Sequence, residues 1–67
     1  GVEVENAVER YRKRQGWTQS DLARMSGVPV STINEIERGK RTPGVDIALK
    51  LSAALGVIVN DLFFLGD

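Results

Sequence analysis

The side chains of this sequence that could do chemistry are mostly cations, and they gather in one stretch. Positions 10 to 41 hold eight of the nine basic residues. These are Arg10, Arg12, Lys13, Arg14, Arg24, Arg38, Lys40 and Arg41, set against Asp21, Glu35 and Glu37, a local balance of +5. Residues 1 to 9 carry −3 and residues 42 to 67 carry −2, so the formal net charge is zero. A basic middle between acidic ends is a local footprint for a polyanion. It is equally the pattern of a solvated, salt-bridged surface. Other chemistries are poorly supplied. The chain has no histidine and no cysteine, which removes the usual general base, the commonest metal ligand, disulfides and thiolate metal sites. Glu35 and Glu37 stand two apart, so on a helix they point to different faces and make no acid–base dyad. No nucleophile–base pair, metal cluster or Gly-rich phosphate loop is visible. Neither an enzyme, a cofactor nor a small-molecule ligand is expected.

These cations need elements to hold them. Sixty-seven residues make one small domain, residues 1–67, burying about 60% of its unfolded surface. Its organising stretch is TQSDLARMSGVPVSTINEIERG, Thr18 to Gly39. Thr18 is an N-cap, and Asp21 three residues on is close to the capping-box pattern. Trp17 and Leu22 have the spacing of a hydrophobic staple. Gly27 suits a left-handed C-terminal position. A second apolar stripe follows at Val30, Ile33 and Ile36 and ends at Gly39. Two helices joined by a short turn containing Gly describe a helix-turn-helix or an ordinary αα-hairpin.

Around this stretch the periodicity predicts three more helices. The first covers Ala7 to Gln15, with Asn6 and Glu9 as a capping box and Val4, Val8 and Tyr11 on one face. The second and third run from Gln19 to Met25 and from Val30 to Arg38. The inward residues are Leu22, Ala23, Val28, Ile33 and Ile36, with Val30, Ser31, Asn34, Glu35 and Arg38 left outside. The fourth spans Val45 to Leu55, with Ile47, Leu51, Ala54 and Leu55 inward, and the fifth Asn60 to Phe64. Lys40, Arg41 and Thr42 form a loop that reads as a phosphate clamp, since such cations contact backbone rather than sequence.

Together these residues resemble the DNA-binding domain of lambda-repressor-like, Cro-type regulators, the xenobiotic response element family. The marks are Arg12, Gly16-Trp17-Thr18-Gln19, Leu22-Ala23, Gly27-Val28, Thr32-Ile33, Ile36-Glu37-Arg38-Gly39, Arg41, Pro43, Ala54-Leu55-Gly56-Val57 and Asp61-Leu62-Phe63. The resemblance implies an all-α, compact five-helix domain with the helix-turn-helix at helices 2 and 3. It implies sequence-specific binding of double-stranded DNA and a transcriptional regulator, a repressor on a two-fold operator. The alternative is a protein-interaction module or antitoxin-like partner that kept the fold. By resemblance, Val30, Ser31, Asn34 and Glu35 meet base edges. Val30 suits a thymine methyl, Ser31 donates or accepts, and Glu35 could accept from cytosine N4. Glu35 alternatively pairs with Arg38. Thr18, Gln19, Thr32, Arg38, Lys40 and Arg41 fall at phosphate positions, the helix N-terminus at Gln19 being suited to an anion. Arg12 is implied to pair with Glu37; the plain alternative is a snorkelling surface arginine. Pro29, Gly44 and Ile58 stand where the family often caps with Ser.

The segment VIVNDLFFLGD has seven apolar residues among eleven, more than one short helix can turn inward. Ile58, Phe64 and Leu65 are the surplus, expected to form a homodimer interface. The other readings fold Phe64 and Leu65 onto Val4 and Val8, or bury them under a further domain. No apolar run approaches the roughly 18 residues of a membrane span, and no signal peptide is visible. The expected location is cytoplasmic, on the nucleoid of a bacterium or phage host. The missing initiator Met reads as trimming or as a piece of a longer regulator.

Overall fold

The computed structural model describes residues 3–66. Its elements in chain order are β1 (Val4–Asn6), α1 (Val8–Arg14), α2 (Gln19–Ser26), α3 (Val30–Glu37), α4 (Val45–Leu55), α5 (Val59–Leu62) and β2 (Phe63–Leu65). Five helices are present as the sequence predicts, but the domain is not all-α. β1 and β2 pair antiparallel, with Val4 opposite Leu65, Glu5 opposite Phe64 and Asn6 opposite Phe63. The ladder continues at both ends, from the Ala7 N–H to the Leu62 carbonyl at 2.9 Å and from the Gly66 N–H to the Glu3 carbonyl at 2.8 Å. Val4 therefore belongs to a strand and not to the first helix. The fifth helix begins and ends earlier than expected, because Phe63–Leu65 leave it to pair with β1.

The helix ends follow local chemistry. The α2 capping box closes: the Asp21 N–H donates to Thr18 Oγ1 at 3.0 Å, and the Thr18 N–H to Asp21 Oδ2 at 2.9 Å. Gly27 ends α2 at φ 76°, a left-handed conformation that a Cβ disfavours. At α1, Asn6 Oδ1 accepts from the Val8 N–H at 3.1 Å, two residues on, whereas Glu9 lies 3.6 Å from Lys13 instead of completing a capping box. Pro29, Gly44 and Ile58 precede their helices without a side-chain cap.

The core draws one or more residues from each helix. Val8, Leu22, Val28, Ile33, Ile36, Leu51 and Leu62 are fully buried, and Leu55 nearly so. Burying one such side chain contributes roughly 1.5–3 kcal/mol. Tyr11, Trp17, Ala23, Ile47, Ala54, Val57 and Phe63 pack around them. The small Ala23 packs against this core on α2, the helix that meets both α3 and α4. No described helix is long and apolar enough to cross a membrane.

Candidate nucleic-acid interface

A buried ion pair anchors the helices that carry the predicted site. Arg12 on α1 donates from Nε to Glu37 Oε2 at 2.7 Å and from Nη2 to Glu37 Oε1 at 2.9 Å, a fork-on-fork pair. Its third nitrogen, Nη1, donates to the Trp17 carbonyl at 2.7 Å. The side chains are 9% and 2% exposed, so neither charge is shared with much water. The hydrogen bonds that Arg12 donates to Glu37 raise the guanidinium pKa against the opposing effect of burial. Glu37 is the last residue of α3 and Trp17 adjoins the start of α2. One guanidinium thus ties three helices together, and the snorkelling alternative for Arg12 does not hold.

The pair extends outward through two amides. Gln19 Nε2 donates to Glu37 Oε1 at 3.0 Å. Asn34 Nδ2 donates to Gln19 Oε1 at 3.2 Å. Neither contact carries a signal in the sequence, since amide–amide pairs leave no charge pattern or apolar period. Both amides are half-buried, so Asn34 is less open than its predicted place outside α3.

The outer face of α3 is exposed at Val30, Ser31 and Glu35. Arg38, Lys40 and Arg41 are exposed just beyond the helix. Glu35 pairs with Arg41 at 3.6 Å rather than with Arg38. Both partners are about half exposed, so the pair is weak and exchangeable. Thr32 departs from expectation. It is buried at 8% exposure, because it lies four residues before Ile36 and shares the inward stripe. Its hydroxyl has no partner among the described residues and is not among their buried unpartnered atoms, so it keeps contact with solvent. The Thr18 hydroxyl is engaged in capping α2. That cap takes up the Asp21 N–H and leaves those of Gln19 and Ser20 without intrahelical partners, which suits an anion. Asp21 is held below the ordinary carboxylate range, first by the Thr18 N–H, then by the Thr18 hydroxyl and Arg24.

Arg10 and Arg14 stack on the Tyr11 ring at 5.4 and 5.1 Å from its centroid. Along with Lys13 they make α1 basic on a side away from the Arg12 anchor. The predicted dimer residues lie in and just before the β1–β2 clasp, which Asn6 bonds to the last turn of α3. Ile58 is 66% exposed, Phe64 40% and Leu65 71%. Val4, opposite Leu65 in the sheet, is 45% exposed and shares that residue's face, whereas Phe64, opposite Glu5, lies on the other face.

Known proteins resemble this chain in sequence and fold. A helix-turn-helix family model matches residues 8–60. An uncharacterized HTH-type transcriptional regulator from Methanocaldococcus jannaschii is 38% identical over 64 residues, covering 96% of this chain and 97% of the relative. The crystal structure of the restriction-modification controller protein C.AhdI from Aeromonas hydrophila superimposes with a TM-score of 0.78 at 34% identity, covering 84% of this chain and 85% of that one. A chain of the SinR protein/SinI protein complex gives 0.76 at 37% identity, covering 79% of this chain and 52% of that one. The family match spans most of the chain and the archaeal relative nearly all of it, so the chain belongs to the lambda-repressor-like, Cro-type helix-turn-helix family of DNA-binding transcriptional regulators, and it is not an enzyme.

Proposed function

We propose that residues 1–67 form a single domain that reads duplex DNA as a two-fold dimer and represses transcription in the cytoplasm. In this reading α2, the Gly27 turn and α3 are the helix-turn-helix, with α3 lying in the major groove. Val30, Ser31, Glu35 and Asn34 meet base edges. The start of α2 at Thr18 and Gln19, with Arg38, Lys40 and Arg41, meets phosphates on either side. The observation that carries the reading is the continuity of this surface. The open end of α2 is bonded to the outer side of α3 through Gln19 and Asn34, and three exposed cations follow directly on α3. Positioning cations beside a reading helix is how phosphate contacts set register while base contacts specify. Dimerisation through Ile58, Phe64, Leu65 and Val4 would set two α3 helices about 34 Å apart, one turn of duplex.

Binding of labelled duplexes across a salt series tests this. Lys40→Ala weakens every duplex alike and lowers the log–log salt slope by about 0.9, one released counterion. Ser31→Ala instead changes preference at one base position, by roughly 1–3 kcal/mol. Binding that ignores salt, or none to any duplex at low salt, would end the DNA reading and favour the protein-interaction alternative, which the zero net charge supports.

A further inference from the structure

The polar chain from Arg12 to Asn34 has a direction, and that direction reaches the outer side of α3. Arg12 can only donate, and both Glu37 oxygens accept from it. A carboxylate offers no proton in return. Gln19 must therefore turn its Nε2 toward Glu37, as it does, which puts its Oε1 on the other side. That oxygen needs a donor, and Asn34 supplies its Nδ2. Asn34 is left with Oδ1 and with one of its two Nδ2 hydrogens. Among the described residues Ser52 Oγ is the one buried side-chain polar atom without a partner. Asn34 Oδ1 accepts no bond from a described protein donor, so it reaches solvent. A free amide can rotate by half a turn and show either polarity to a base. This one is held with Oδ1 as its acceptor and the remaining N–H as its donor, on sides it cannot exchange.

We infer that Asn34 is a specificity-determining residue whose polarity is set from the core: the Arg12–Glu37 pair, acting through Gln19, makes it select a base with a major-groove donor. Cytosine through N4 and adenine through N6 satisfy that acceptor, and adenine N7 also suits the remaining N–H, whereas guanine and thymine offer Oδ1 no donor at O6 or O4. The inference rests on the DNA-binding reading above. Gln19 is a positioning residue in this scheme, in addition to any phosphate it meets through its backbone. Arg12 and Glu37 act without approaching DNA.

The test is binding of wild type, Asn34→Ala and Gln19→Met to duplexes carrying each base at each operator position, after selection of a preferred duplex from a random pool. Wild type prefers cytosine or adenine at one position by about 5- to 150-fold. Asn34→Ala flattens that position alone. Gln19→Met keeps Asn34 but flattens the same position, because the amide is free to turn. The Asn34 side-chain amide resonances of the unbound Gln19→Met variant move, while the backbone spectrum reports that the fold is kept. Should that variant unfold, Gln19→Ala provides the same comparison. An unchanged preference at that position in the Gln19 variant overturns the inference. So does a wild-type preference there for guanine or thymine, or an Asn34→Ala variant that flattens no position. In each of these cases DNA binding stands and only the polarity relay fails. A wild type that binds no duplex removes the DNA reading and the relay together.

Discussion

Glu37→Gln removes a charge and almost no volume, so its effect isolates the ion pair from packing. In the wild type, Arg12 is 9% exposed at its side chain and rests on Glu37, the Trp17 carbonyl and a distant Glu9. Breaking a buried pair from one side costs about 3–5 kcal/mol, because the remaining charge is left uncompensated. Two features place this variant at the low end. The Trp17 carbonyl still accepts from Nη1, and Glu9 at 4.0 Å, itself 57% exposed, offers partial compensation. An expected loss of about 3 kcal/mol follows. For 67 residues the whole stability is on the order of 3–10 kcal/mol, so the variant sits near the edge of folding. Its melting temperature falls by about 12–24 °C, at 4–8 °C per kcal/mol. Urea unfolding followed by circular dichroism measures this. Lys13→Gln, which removes the exposed Glu9–Lys13 pair (3.6 Å), changes stability by no more than about 0.5 kcal/mol and is the control. A Glu37→Gln loss of only a few tenths would refute the reasoning, since the guanidinium would then have found water without its partner.

Gly27→Ala meets no atom within 4 Å but keeps φ at +76°; backbone strain alone lowers stability by about 1–2 kcal/mol, and an unchanged urea midpoint would contradict it. Asp21 has a folded pKa below its unfolded value. Its contribution is therefore complete above about pH 4 and is lost as pH falls further, through the folded pKa. The stability gap between wild type and Asp21→Asn should close in acid, and a gap of constant size from neutral to acid pH would count against the capping account. Wild type should sediment as a dimer at tens of micromolar, and Phe64→Glu with Leu65→Glu as a monomer. A monomeric wild type, or a double variant that stays dimeric, removes the apolar patch as the interface.

The helices were legible where single residues mark their ends. Thr18, Asp21 and Gly27 each have one energetically favoured place, and the structure puts them there. The sheet was not legible as strands, although the alternative that folds Leu65 back onto Val4 is what the structure shows. Three residues per strand are too few to show a period of two, and Val4–Glu5–Asn6 continues a helical stripe just as well. Phe63–Phe64–Leu65 follows α5 without any breaker, and its partner lies at the far end of the chain. At the site, the Arg12–Glu37 pair came only from family resemblance, because 25 residues separate two charges among many. Thr32 falls at a phosphate position by resemblance alone, and its burial depends on packing that a single polar residue in the sequence does not reveal. The Gln19–Asn34 contact left no trace, since it depends on the angle between α2 and α3, which packing around Ala23 and Val28 decides.

The pairing of β1 with β2 has a kinetic consequence. Val4 and Leu65 are 61 residues apart, so joining them in the open chain costs roughly 3–4 kcal/mol of closure entropy, more than two three-residue strands return. The clasp therefore closes after the helices have packed and brought its halves together, and it is the first part to open. Native-state hydrogen exchange should release the Ala7 and Gly66 amides through a smaller opening than those of Leu51 and Leu55, and equal protection would refute this order. When the clasp opens, Asn6 loses its fixed place, and with it goes the 2.9 Å bond from Asn6 Nδ2 to the Ile36 carbonyl. The last turn of α3 would then fray while the core stays folded, so breathing of the chain's two ends is transmitted to the helix that carries Ser31 and Asn34.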